Sequence, residues 1–225
     1  MEYKNRIADK LLRDKLEAMG AVLIEGPKAC GKTTTAEQQA KSIIYMDDPV
    51  KQEQYKQMAQ TNIRFLLEGE TPRLIDEWQH VPQFWDAIRF EVDHRDDDGQ
   101  FMLTGSAVPA DMKEIHHTGT GRYGWLTMRP MSLWESGEST GEVSLSDLFL
   151  TPDRIGALNK LTLPMLAFAA CRGGWPKSLQ KKTEKAALSQ VTEYYKAITN
   201  SDISLVDNVI RDEERAMRYM RSYAR

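Results

Sequence analysis

Cysteine is scarce in this chain: Cys30 and Cys171 are the two among 225 residues. A pair so far apart offers no disulfide framework, and thiol usage of this kind fits a reducing cytoplasm. Long apolar runs are missing too. The longest, LTLPMLAFAAC from Leu161 to Cys171, is about half of what a bilayer requires, so no membrane contact is expected. The amino terminus, MEYKNRIADKLL, is charged throughout and lacks an apolar core followed by a cleavage site, which excludes a signal peptide. Neither sign of charge dominates: 30 Lys and Arg against 33 Asp and Glu leave a formal net charge of −3, so bulk charge does not advertise nucleic acid. Internal repeats and low-complexity tracts are absent. With 41% hydrophobic and 28% charged residues, the chain can bury one substantial core and a smaller appendage.

Against this ordinary background one octapeptide stands out. GPKACGKT, Gly26 to Thr33, satisfies the phosphate-binding pattern G-x-x-x-x-G-K-[ST]. AVLIE before it reads as a short buried strand and Thr33 to Ser42 after it as a helix, so the motif sits at a strand-to-helix turn. Such a turn directs backbone N–H groups at one point where a polyphosphate can rest. Gly26, Pro27, Lys28, Ala29, Cys30 and Gly31 are therefore expected to form the cradle. Lys32 is expected to reach the β- and γ-phosphates, Thr33 to offer its hydroxyl to Mg²⁺, and Thr34 to add a contact. Cys30 reads either as a small residue that fits the loop or as a thiol activated by the helix terminus.

Further along, the periodicity predicts an amphipathic helix over 5–19, carrying Ile7, Leu11, Leu12, Leu16 and Met19 on its apolar side. SIIYMDD reads as a second strand, Pro49 to about Glu68 as a polar helical stretch, RLIDE as a third strand and Phe84–Val92 as a helix. FMLTGS is a fourth strand, and GWLTMRPMSL contains a fifth. Strands alternating with helices imply an α/β core with a parallel sheet. Beyond Glu135, SGESTGE reads as a polar linker into helical segments, with GGWP as a tight connector; this divides the chain into 1–135 and 136–225.

Asp76 and Glu77 close the apolar third strand, at the edge where an open α/β sheet places its ligand site. Asp76 is expected to hold Mg²⁺ and Glu77 to polarise an attacking water. Thr104 and Ser106 end the next strand; they read equally as sensors of the terminal phosphate and as turn or cap residues. Arg122 follows the Gly-rich TGTGR and is the candidate arginine finger, with Arg129 as its competitor. The four histidines, His80, His94, His116 and His117, make no metal-ligand spacing with the cysteines. Trp78, Phe84, Trp85 and Phe90 are expected to pack in the core.

With these residues placed, the chain resembles prokaryotic AAA-type ATPases near the archaeal-ATPase and signal-transducing branches. The likeness rests on GPKACGKTTTA, RLIDEWQHVPQFWDAIRFEVD, FMLTGSA, GRYGWLTMRPMSLWE, CRGGWP and YYKAITNSDIS with the RDEERAMRYMRSYAR that follows. It implies a three-layer α/β/α P-loop core with a five-strand parallel sheet of the additional-strand type, then a helical or winged-helix-like unit. ATP and Mg²⁺ are the implied cofactors, and a homo-oligomer an implied partner. Relatives usually continue into a further C-terminal domain, so a chain ending at Arg225 is expected to be a truncated member.

Hydrolysis of ATP to ADP and phosphate is the leading functional reading. A nucleotide-gated module with little turnover is the alternative, and a DNA partner rests on the basic run Arg211 to Arg225, which also contains Asp212, Glu213 and Glu214, and on the winged-helix-like unit the resemblance implies. Phosphoryl transfer to a small acceptor ranks last, since the glutamate after Asp76 favours water.

Overall fold

In a computed structural model of the chain, residues 3–95, 97–105, 118–154, 156–158, 160–202 and 212–223 are described. Two compact units emerge: residues 7–129 with 195–225, and residues 1–6 with 130–194.

The larger unit is built on five short strands, β1 (Ala21–Glu25), β2 (Ser42–Tyr45), β3 (Arg73–Asp76), β4 (Phe101–Thr104) and β5 (Tyr123–Thr127). All pair in parallel, in the order β2-β3-β4-β1-β5. Strands buried on both faces read as continuous apolar runs, which is why AVLI and FMLT lie wholly in the interior. β4 stands between β1 and β3, so the sheet is of the additional-strand type expected. Because every strand runs the same way, Glu25, Tyr45, Asp76, Thr104 and Thr127 all lie at one edge.

Strand alternation assigns the faces. Ala21, Leu23, Ile44, Ile75, Phe101, Leu103 and Tyr123 join one apolar cluster with Leu66 and Leu67 of a short helix α4 (Arg64–Leu67). The same cluster takes in Trp78, Val81, and Phe84, Trp85 and Ile88 of α5 (Phe84–His94). Val22, Ile24, Leu74, Met102 and Leu126 are buried on the other face, where α1 (Ile7–Leu16) packs on β1 and β5 and α2 (Lys32–Glu37) on β3 and β4. Between the two early strands and β3 runs α3 (Gln52–Asn62).

Three expectations shift. Of the apolar side expected for α1, Leu12 and Leu16 are buried, together with Ala8, whereas Ile7 and Leu11 are about half exposed. The helix after the phosphate loop ends at Glu37 rather than Ser42. Its Thr33-Thr34-Thr35 run is a poor helix former, and the backbone beyond tightens into short turns until Lys41 N–H donates to the Pro72 carbonyl at 2.9 Å. Phe90 is not core: it is 38% exposed, stacked on His94 with the Arg64 guanidinium 4.7 Å above its ring. Trp78, Phe84 and Trp85 are buried as expected.

The smaller unit is helical, with α6 (Leu133–Ser136), α7 (Leu145–Leu150), α8 (Leu163–Arg172), α9 (Pro176–Leu179) and α10 (Glu184–Ala197, running on to the larger unit). Among its described residues no strand occurs, so the wing of a winged helix is not seen. The stretch expected as a polar linker is tied down: Arg172 donates to both Glu138 carboxylate oxygens at 2.7 and 2.9 Å, which holds the Glu138 pKa below its ordinary value. Met131 N–H donates to the Gly174 carbonyl of the GGWP connector at 2.7 Å. A final helix, α11 (Glu213–Tyr223), returns to the larger unit.

Glu135 has two tasks in the smaller unit. It closes a capping box with Ser132 at the start of α6, and it pairs with Arg6 at 3.0 Å, both side chains 5% exposed. Removing it leaves a buried guanidinium without that carboxylate as well as an uncapped helix. Glu135→Ala is therefore expected to destabilise the protein by about 3–5 kcal/mol, read from the denaturant midpoint. Glu135→Gln, which keeps an acceptor, should lose less; an unchanged midpoint in the alanine variant would contradict the structural role.

Candidate functional site

The phosphate-loop motif leaves β1 through Gly26, whose φ of 153° lies outside the range other residues adopt. A Cβ there would come within 2.1 Å of the Met128 carbonyl oxygen, so the loop passes β5 as closely as backbone can. Met128 N–H in turn donates to the Glu25 carbonyl at 2.7 Å. Pro27, Lys28 and Ala29 form the exposed outer arc; Cys30 turns inward, fully buried, its thiol 3.9 Å from the Met128 carbonyl. Of the two readings of Cys30, this is the packing one. Gly31, left-handed at φ 102°, caps α2, and the first intrahelical bond runs from Thr35 N–H to Gly31 O at 3.0 Å. The N–H groups of Lys32, Thr33 and Thr34 precede that bond and belong to the loop mouth.

Inside this ring sits the Lys32 ammonium. It is 6% exposed and donates to the carbonyls of Gly26 and Pro27 at 2.9 and 3.1 Å.

Parity explains what faces the loop. Asp76 and Thr104 follow Leu74 and Met102 by two residues, so both project to the α2 side, and they are register partners across β3 and β4. Their contact is direct: the Thr104 hydroxyl donates to Asp76 Oδ1. Thr33, on the second residue of α2, donates to the same oxygen at 2.7 Å. Burial raises the Asp76 pKa above its ordinary value, partly offset by these two hydroxyls and increased by the charges of Glu77 and Asp47.

Glu77 has left-handed backbone, φ 53° and ψ 45°, a conformation that costs a non-glycine residue of order 1–3 kcal/mol. It caps the short 3₁₀ turn Trp78–His80, and its carboxylate accepts from the Gln79 amide. Tyr45 completes the acidic rim. It pairs with Asp76 across the sheet and donates to Glu37 of α2 at 2.7 Å. That hydrogen bond first, then burial and the carboxylates of Glu37, Asp76 and Asp47, push its pKa up to about 12.

Lys32, Thr33, Asp76 and Thr104 are thus assembled around the loop, with Glu77 next in chain to Asp76. Ser106 lies outside the described residues. Arg122 is not brought there. Its carbonyl accepts from Ala21 N–H at the start of β1, the edge opposite the loop, roughly a strand length of 16 Å away. It is ion-paired with Asp93 at 2.7 Å. A same-chain arginine finger at Arg122 is thereby removed, because a residue just before a parallel strand lies at the far edge. Arg129 directly follows Met128, at the loop's own edge. Tyr45, Glu37 and Gln79 were not anticipated. Nothing local marks them, although YMDD after a strand could have drawn attention to Tyr45.

A strand-order with an added strand, a glycine loop on the first strand and an acidic pair on the third define an additional-strand P-loop ATPase fold. The model of the AAA domain family matches residues 19–136, more than half of the chain, and the chain belongs to that family of nucleotide-binding ATPase domains. Among solved structures, the Walker-type ATPase PABY2304 of Pyrococcus abyssi is similar at 12% identity and TM-score 0.50, over 92% of this chain and 76% of that one. PCH-2 of C. elegans aligns at 15% identity and TM-score 0.42, over 83% of this chain and 66% of that one. At 12% identity the first of these likenesses speaks to the fold alone. No curated protein matches the sequence. No helix among the described residues is long and apolar enough to cross a membrane.

A pH dependence follows from Asp76. Its folded pKa is raised, so just above the ordinary carboxylate value of 3.8 the folded chain holds a proton that the unfolded chain has released. Stability of the nucleotide-free protein should fall as pH rises through that window and stay lowered at neutral pH. Asp76→Asn, which keeps an acceptor for both hydroxyls, is expected to match or exceed the parent's melting temperature at pH 7 and to flatten the profile. A variant clearly less stable than the parent at pH 7 would refute this.

Proposed function

We propose that the chain binds ATP with Mg²⁺ and hydrolyses it to ADP and phosphate by direct attack of water. The observation that carries this reading is the convergence of Thr33 and Thr104 on one oxygen of Asp76, with the buried Lys32, next in chain to Thr33, held by the carbonyls of the loop. The donor set suits the metal: a hydroxyl and a carboxylate are hard oxygen ligands, and a buried carboxylate whose charge is disfavoured gains from a cation. Thr33 and Asp76 would hold it, and bound Mg²⁺ supplies charge neutralisation of the phosphate oxygens.

The rest falls to the chain's own groups. The backbone from Gly26 to Thr34 cradles phosphate, and the Lys32 ammonium exchanges the carbonyls of Gly26 and Pro27 for β- and γ-phosphate oxygens. Glu77 takes the proton of the attacking water, while Thr104 fixes Asp76. Arg129, which follows Met128 at the loop's edge of the sheet, is the same-chain arginine placed for the finger role; Arg122 serves this chemistry only from a neighbouring copy, as in the oligomers common among AAA domains.

One observation favours a second reading, an ATP-gated binding module with little turnover. The arginine first expected as the finger is at the far edge of the sheet and engaged by Asp93. For that reading Mg-ATP would raise the melting temperature without phosphate release.

Glu77→Gln should bind ATP like the parent while turnover falls about 10²–10⁴-fold, as expected for loss of a general base. Phosphate release that survives the substitution would sink the base assignment. Lys32→Ala is expected to lose nucleotide affinity in an equilibrium titration, and undiminished binding would contradict the loop reading.

A further inference from the structure

We propose that Gln79 is a positioning residue: its amide holds the Glu77 carboxylate in place for turnover and couples it, through Gly105, to the end of β4. The inference rests on the base role given to Glu77. A carboxylate only accepts hydrogen bonds, so the amide nitrogen of Gln79 must be the side facing Glu77. The carbonyl oxygen Oε1 then points away, and it is buried with no hydrogen-bond partner among the described residues.

What it points at is the backbone after Thr104. A Cβ on Gly105 would come within 2.5 Å of Oε1 and 3.3 Å of Cδ of Gln79. The amide is therefore wedged between the carboxylate on one side and the strand end on the other. Thr104, one residue earlier, donates to Asp76. A movement at the end of β4 thus reaches both carboxylates, one through the Thr104 hydroxyl and the other through the Gln79 amide.

Stability does not explain a glutamine here. A buried acceptor left without a partner is costly, and leucine of similar shape would carry none. The amide donor is what glutamine adds, and Glu77 receives it.

The test uses the full chain and steady-state ATP hydrolysis, with nucleotide affinity and melting temperature measured alongside. Gln79→Leu removes the donor. Gly105→Ala leaves both side chains intact and displaces the amide, and Gly105 has no left-handed φ that alanine would strain. Each is expected to lower kcat about 10-fold or more, as displaced catalytic groups do, with KM and affinity within about twofold. Because both remove one restraint, the double variant should be no slower than the slower single. Losses that multiply in the double variant, an unchanged kcat in Gln79→Leu, or a fall that tracks KM or melting temperature would each overturn the proposal. Glu77→Gln in the same assay separates the two claims. If it is inactive while Gln79→Leu matches the parent, only the positioning role fails. If it turns over normally, or the parent shows no turnover, the base reading fails and this inference with it.

Discussion

One carboxylate oxygen organises the site. Oδ1 of Asp76 accepts hydroxyl protons from Thr33 and Thr104, and those three residues come from α2, β3 and β4. The helix that carries the phosphate loop is thereby pinned to two strands whose register already sets Asp76 opposite Thr104. Everything nearby depends on that knot: the loop's distance from the acidic edge, the side from which Lys32 enters, and the direction in which Glu77 leaves the sheet. A strand slip of one residue would turn Asp76 toward the aromatic core instead.

The knot comes at a stability cost on two sides. Asp76 is buried where its charge is disfavoured, and Glu77 is held in a left-handed backbone that a non-glycine residue normally avoids. Both costs are local and adjacent, and both are borne by a scaffold buried on two faces. Strain of this kind is tolerated where the surrounding structure over-determines it, and it clusters at functional positions. The neighbouring carboxylates Glu37 and Asp47 add to the same negative field, which Tyr45 reports through its raised pKa. A polyphosphate alone would be repelled by that rim, whereas its complex with a divalent cation would not.

Much of the fold was legible in the chain because central parallel strands are short apolar runs ended by a change in chemistry. AVLI ends in a glycine loop, RLI in an acidic pair and FML in a hydroxyl. The loop and the acidic pair carry their own spacing, so Lys32, Thr33 and Asp76 could be named without a structure. What failed depends on direction and on contacts between elements. Arg122 precedes its strand, and in a parallel sheet that alone puts it at the far edge; strand direction was the missing step. On α1, Leu12 and Leu16 are buried as expected, but Ala8 takes the inward place given to Ile7, which the apolar pattern alone does not distinguish. Tyr45 with Glu37, and Gln79 with Glu77 and Gly105, are meetings of side chains whose partners no local pattern announces.

The account's central claim is that Asp76 and Thr33 together make a metal-nucleotide site. Its most direct test is the equilibrium affinity for ATP with Mg²⁺ and with the metal chelated, in the parent chain and in Asp76→Asn. The account predicts tighter binding with Mg²⁺ in the parent and loss of most of that metal dependence in the variant, with metal-free binding no weaker than the parent's. Binding that is indifferent to Mg²⁺ in the parent, or equally metal-dependent in both, would contradict it.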